Sequence, residues 1–352
     1  MGVRAGLEPL ASVLGAASGY RRLAVRLSGG LPVENHDLEA EELAEHAGGQ
    51  GDPSAAPTSS PLRADADRKE GDSNGKYNIE LVKIGDSDAK YDAFFAKAKQ
   101  RWEQIITGDN VMDIPADKAP EDGWFSNFFE ELEPYIAAVD DITIAYRISP
   151  IDGYGLVLGE TSIIRFRTEQ YGSFPISAAM TFDTEDVDGM IDDGVFESTI
   201  LHEMGHALGF SANMWALYAS KCGASCAAFD EGAPGGCAAS RTYARLGLPG
   251  QLRMHAAGGS GDGQYCGHWD ELQLGDELMT PVVGSGMQPL TAISISAFED
   301  MGYLVSYETA APIELITTVP AEWSQSATLP FTRSLLSRRK RSTFVPRAFE
   351  LA

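Results

Sequence analysis

Residues 198–211 read STILHEMGHALGFS. His202 and His206 stand four apart, with Glu203 beside the first. Phe196, Ile200, Met204 and Leu208 recur around them at helical spacing, and Gly209 falls where a helix C-terminus favours glycine. The pattern predicts a helix over residues 195–208. On such a helix both imidazoles share one face, one turn apart, and can reach one ion. Glu203 is rotated by about 100° from His202, so it can reach a water at that ion without ligating it. A carboxylate so placed can take a proton from a metal-activated water. The plainer reading is a helix whose histidines only bond nearby carbonyls, but two histidines on an otherwise apolar helix are costly without partners. Gly205 costs about 1 kcal/mol relative to alanine in mid-helix, which signals close packing at that turn.

A catalytic metal needs a third protein ligand and an open position. The place three residues after Gly209 holds Ala212. Of the six histidines, His36 and His46 lie in an acidic, low-complexity stretch, which leaves His255, His268 or a downstream carboxylate such as Glu271 or Glu277. His255 sits in RMHAAGGSGDG, a stretch with little to hold a side chain still. His268 lies in CGHWDELQLGDELMTP, behind Cys266 and before Trp269, and is the favoured ligand because a ligand needs an oriented surround.

The chain has 352 residues, enough for a sizeable core, and a net charge of −24 from 51 acidic and 27 basic residues. That charge argues against a nucleic-acid partner. No apolar run reaches the length of a membrane span. All four cysteines, Cys222, Cys226, Cys237 and Cys266, fall within 45 residues. Two disulfides and an oxidising compartment are expected, with three pairings open. A four-thiolate zinc site is the alternative, but paired C-x-x-C spacings are missing. The N-terminus is a poor export signal, because Glu8 and Pro9 interrupt its apolar part.

Residues 1–75 are expected to be a disordered leader or pro-segment; 34–75 alone carry eleven acidic and three basic residues. Residues 313–352 form a tail that turns basic at Arg338–Arg341. Between them, residues 76–312 read as the folded part. YNIELVKI (77–84), ITIAYRI (142–148), SIIRFR (162–167) and ISAAMTF (176–182) read as strands. Tyr91, Phe94, Phe95, Ala98, Trp102, Ile105 and Ile106 trace an amphipathic helix that Gly108 ends. The order is α+β. DTEDVDGMIDDG (183–194) fails the EF-hand template, with Val195 where the bidentate glutamate belongs. It reads as a solvated turn, with a looser calcium site left open but unsupported.

HEMGHALGFS, followed by GHWDE and GDELMTP with 58 residues (210–267) between Gly209 and His268, resembles the leishmanolysin-like M8 branch of the metzincin peptidases, closer to the compact bacterial type. The likeness extends through RWEQIITGD (101–109) and QPLTAISISAFEDMGYLVSY (288–307). It implies a zincin catalytic domain: a twisted mixed sheet, an active-site helix and a Met-turn C-terminal subdomain. It implies zinc held by His202, His206 and His268, Glu203 as general base, Met279 as a structural floor, and ISAAMTF as the sheet edge lining the cleft. A secreted, monomeric endopeptidase acting on proteins or peptides is the expectation. A zinc hydrolase with a carboxylate third ligand and a non-catalytic adhesive protein are the alternatives. The family's pro-segment cysteine has no counterpart, since no cysteine precedes Cys222.

Overall fold

A computed structural model describes residues 75–312, apart from 126–127, 130–133, 156, 213, 216–236, 257–264 and 285, together with two short strands nearer the chain ends. Those are β1 (Arg21–Arg22) and β7 (Arg347–Phe349). The export-signal candidate around Glu8, the acidic stretch 34–74, the basic cluster Arg338–Arg341, and Cys222 and Cys226 lie outside the described residues.

The alternating YNIELVKI gives β2 (Ile79–Lys83), and the amphipathic run after it gives α1 (Asp92–Ile105), which buries Phe95, Ala98, Trp102 and Ile105 along one stripe. β3 (Ile142–Ser149), β4 (Gly159–Arg167) and β5 (Pro175–Asp183) complete the central sheet, in the order β2-β3-β5-β4-β7. β2, β3 and β5 run parallel, β4 runs antiparallel to β5, and β7 adds in parallel at Arg165–Arg167. The sheet is therefore mixed, as a metzincin-like peptidase domain would have it.

ISAAMTF does not form the sheet edge. β5 pairs with β3 on one side and β4 on the other, and all nine of its residues are buried. A strand covered on both faces reads as a continuous apolar run, and such a run carries no information about strand order. Among the described residues, Gly159–Ile164 of β4 has a strand partner only on the β5 side.

α2 (Val187–Asp192) and α3 (Phe196–Ala207) follow β5 directly. α1 and α3 pack across the sheet through aromatic rings. Phe95 stacks on Tyr146 of β3 and meets Phe182 of β5 and Phe196 of α3 edge-on. The Trp102 indole N–H donates to the Leu201 carbonyl at 2.9 Å, tying α1 to the backbone of α3. α4 (Ala238–Arg245), α5 (Glu271–Leu274), β6 (Val282–Val283) and α6 (Ala292–Met301) form the C-terminal part. β1 pairs antiparallel with β6. Asp300 near the end of α6 accepts the Ala238 and Ala239 N–H groups at 2.7 and 2.9 Å, so it caps α4 from another helix.

The acidic run 183–194 is only partly a solvated turn. Asp183 and Asp186 are fully buried. Asp183 accepts N–H donors from Ile151, Asp152, Gly153 and Glu185 at 2.8–2.9 Å, and Asp186 accepts from Gly155. Burial pushes the Asp183 carboxyl up, but these four donors outweigh it and hold it below the usual range. The two carboxylates pin the β3–β4 connection to the end of β5.

Candidate metal centre

α3 carries its histidines as the spacing predicts. His202 and His206 are both buried, and the helix ends on Leu208, with Gly209 at φ 116° in the left-handed region open to glycine. His268 arrives from the far side of the insertion. One nitrogen of each of the three rings lies within 4.8 Å of the others, and among the described residues no other group of histidine, cysteine or acidic side chains is so arranged. The Nε2 atoms of His202 and His206 stand 2.8 Å apart, and those of His202 and His268 stand 3.2 Å apart.

Second contacts settle the tautomers of two rings. His202 Nδ1 donates to the Leu278 carbonyl at 2.5 Å, and His206 Nδ1 donates to the Phe210 carbonyl at 2.5 Å. Both Nε2 atoms therefore carry lone pairs. Burial lowers the pKa of His202 to about 4. Burial, together with the two neighbouring rings, carries His206 well below its ordinary value. A proton between the rings is thus disfavoured, while facing lone pairs at 2.8 Å repel. A shared cation resolves both. Three nitrogens about 2.0–2.1 Å from a tetrahedral zinc would stand roughly 3.3 Å apart, close to the spacing seen. The donor set fits a metal ion.

The other ligand candidates go elsewhere. His255 does not join the cluster, but it is well held: its N–H donates to the His268 carbonyl at 2.7 Å and its own carbonyl accepts from Cys266 N–H at 2.8 Å. The His255 backbone thereby frames that of the ligand. Glu271 and Glu277 are buried outside the histidine group, so a carboxylate third ligand is not what the fold assembles. Glu277 is instead occupied by Met279 N–H and by the N–H and hydroxyl of Thr291.

Glu203 is fully buried, and its Oε2 accepts the Thr161 hydroxyl of β4 at 2.6 Å. Its Oε1 has no hydrogen-bond partner. Burial pushes this carboxyl up to about 8, against the pull of the Thr161 hydroxyl. Gly159 lets the strand approach: a Cβ there would lie 3.1 Å from both Cγ and Oε1 of Glu203. Neither Gly159 nor Thr161 was singled out by motif. The available signal was a glycine opening a strand, which marks close approach of another group.

Gly205 has the packing role its cost implied. A Cβ at this position would lie 2.8 Å from Met279 Sδ and 3.2 Å from Trp102 Cζ2. Met279 is fully buried under the helix, and Trp269 bridges the ligand loop to this turn, its N–H donating to the Met279 carbonyl and its indole N–H to Ser294 Oγ. Cys237 and Cys266 are buried at either side of the second half of the insertion, Cys266 at φ 59°.

The family model described as leishmanolysin, Peptidase_M8, matches residues 170–319. Over that span, less than half of the chain, the protein is leishmanolysin-like. The matched span runs from the start of β5 past α6, and so contains the three histidines, Glu203 and Met279. It leaves out α1, β2, β3 and the Thr161 strand. No curated protein matches the chain. The M8 likeness suggests a metallopeptidase, and the buried histidine triad could hold a metal ion such as zinc. Among the described residues no helix is long and apolar enough to cross a membrane.

Proposed function

We propose that the chain is a zinc-dependent endopeptidase, with His202, His206 and His268 as metal ligands and Glu203 as general base. The carrying observation is the convergence of three buried imidazoles, two of them with lone pairs fixed by carbonyl acceptors, beside a buried carboxylate with one free oxygen. A zinc ion held there would polarise the scissile carbonyl and acidify the attacking water. The protein's own groups do the rest. Leu278 and Phe210 hold two rings in the tautomer that offers Nε2. Thr161 anchors one carboxylate oxygen of Glu203, which leaves Oε1 to take the water's proton and return it to the leaving amine. The dry surround strengthens each of these interactions.

The substrate is an unfolded protein or peptide. An extended chain could add as a strand along Gly159–Ile164 of β4, which pairs with β5, in the role expected earlier of ISAAMTF. Met279 serves as a floor under the ligand helix, the part a Met-turn plays. The folded catalytic unit is residues 76–312, with the insertion at 210–267 and accessory ends at 1–75 and 313–352. The four cysteines form two disulfides. Among the described residues no cysteine is free, which supports this reading. Disulfides fit a secreted or luminal protein, and a monomer suffices, since one chain supplies the whole cluster.

The test is hydrolysis of unfolded casein by the full chain and by Glu203→Ala. Zinc-dependent cleavage by the parent and a fall of about 10²–10⁴-fold in the variant are expected, the usual worth of a general base. A folded, zinc-loaded parent that cleaves nothing favours the adhesive alternative, and cleavage that survives the substitution removes Glu203 from the mechanism.

A further inference from the structure

His202 gains its orientation from a carbonyl, that of Leu278, and not from a side chain. The carbonyl is only as well placed as the turn that bears it. Leu278 lies between Glu277 and Met279, and Glu277 is buried with a carboxylate that accepts from both directions. One oxygen takes the Met279 N–H at 2.7 Å. The other takes the Thr291 N–H at 3.1 Å and the Thr291 hydroxyl at 2.9 Å. Thr291 is the N-cap of α6, and its hydroxyl oxygen accepts from Ile293 N–H. The Leu278 N–H closes the same frame on the Pro289 carbonyl at 2.9 Å.

We propose that Glu277 is a positioning residue for the metal centre: it clamps the 277–280 turn to the N-terminus of α6 and so aims the Leu278 carbonyl at His202 Nδ1. The inference rests on reading the triad as a metal site. Partners that orient ligands are worth about 10–100-fold in metal affinity when removed. The donors around Glu277, among them Met279 N–H, the Thr291 N–H and hydroxyl, and the Ser294 hydroxyl, all want an acceptor. An amide in its place must turn an NH₂ group toward Met279 or toward Thr291, which opens one side of the clamp without removing volume.

The test measures zinc affinity of the full-length protein by competition with a chromophoric chelator, and the visible absorption of its cobalt-substituted form. Glu277→Gln is expected to bind zinc about 10–100-fold more weakly and to shift the cobalt bands, with secondary structure unchanged by circular dichroism. In a His202→Ala background the same substitution should produce no further loss, because its effect runs through that ring. Should Glu277→Gln fail to fold, Thr291→Val removes one of these donors and should give a smaller loss of the same kind. Parent-like zinc affinity and cobalt bands in a folded Glu277→Gln, or in Thr291→Val when the former does not fold, would overturn the proposal while leaving the triad intact. An equal loss with or without His202 would assign Glu277 a merely structural part and also overturn it. A parent that binds no zinc sinks both readings.

Discussion

Thr161 is the residue on which the chemistry of Glu203 turns. Its hydroxyl is the hydrogen bond that keeps the buried carboxyl from rising further above its ordinary range. A general base acts when deprotonated, so a higher pKa moves the acid limb of activity upward. Thr161→Val is therefore expected to shift the acid limb of the kcat/KM profile to higher pH and to lower kcat below it; an unmoved limb would deny that Thr161 tunes the base. The histidines carry a prediction of opposite sign. The pKa values of His202 and His206 are lowered by burial, His202 to about 4, whereas in the unfolded chain they are near 6.5. The metal-free protein should lose stability as pH falls from about 6.5 toward 4, because the unfolded chain takes up the proton first. Zinc, which needs neutral imidazoles, should stay bound at pH 5 and be released toward pH 4. Chelator-monitored zinc release against pH checks this, and release centred near 6.5 would show rings far less protected than the fold implies.

Among the elements, α3 was legible and β4 was not. Periodicity, two histidines at one-turn spacing and a terminal glycine place α3 to within a residue, since all of these are local signals. The role of β4 depends on Thr161 meeting Glu203 across 42 positions, and no local pattern encodes such a meeting. The same holds for Asp183, whose partners lie some thirty residues upstream, so an acidic run that reads as solvated is in part a buried clamp. His268 was legible because Cys266 and Trp269 bracket it; His255 was misjudged because what holds it is backbone pairing, which composition does not show. The α3–turn contact supports a mutation whose sign propensity alone would get wrong. Gly205→Ala should gain about 1 kcal/mol in helix propensity. The added methyl meets Met279 and Trp102, both fully buried, and overpacking of this kind costs about 1–3 kcal/mol. A net loss of up to about 2 kcal/mol in denaturant unfolding is expected, with weaker zinc binding beside it. Parent-like stability and zinc affinity would mean that the floor yields freely.

Across the whole molecule, the triad joins two parts of the chain that sequence keeps far apart. His206 and His268 are separated by the insertion, and a metal shared between them is bound only by the folded state. Such binding stabilises in proportion to ligand excess, by about 4 kcal/mol at a thousandfold over Kd. Chelation should therefore lower the melting temperature of the parent by several degrees, and should leave that of His268→Ala nearly unchanged. Equal shifts in both would place the ion elsewhere.

The insertion is anchored at each of its ends. On the α3 side, Phe210 packs edge-on against Trp215 and Trp269 and its carbonyl is taken by His206. On the return side, Asp300 caps α4, and Thr242 of α4 meets Ser296 of α6 at 2.7 Å. Closing a longer loop between two fixed ends costs only about 0.6 kcal/mol for each doubling of its length. Sequence added between Trp215 and Cys237, with Cys222 and Cys226 kept, would by this reckoning cost the fold little, so a sensor, a tether or an altered recognition loop could be spliced in while the three imidazoles keep their places.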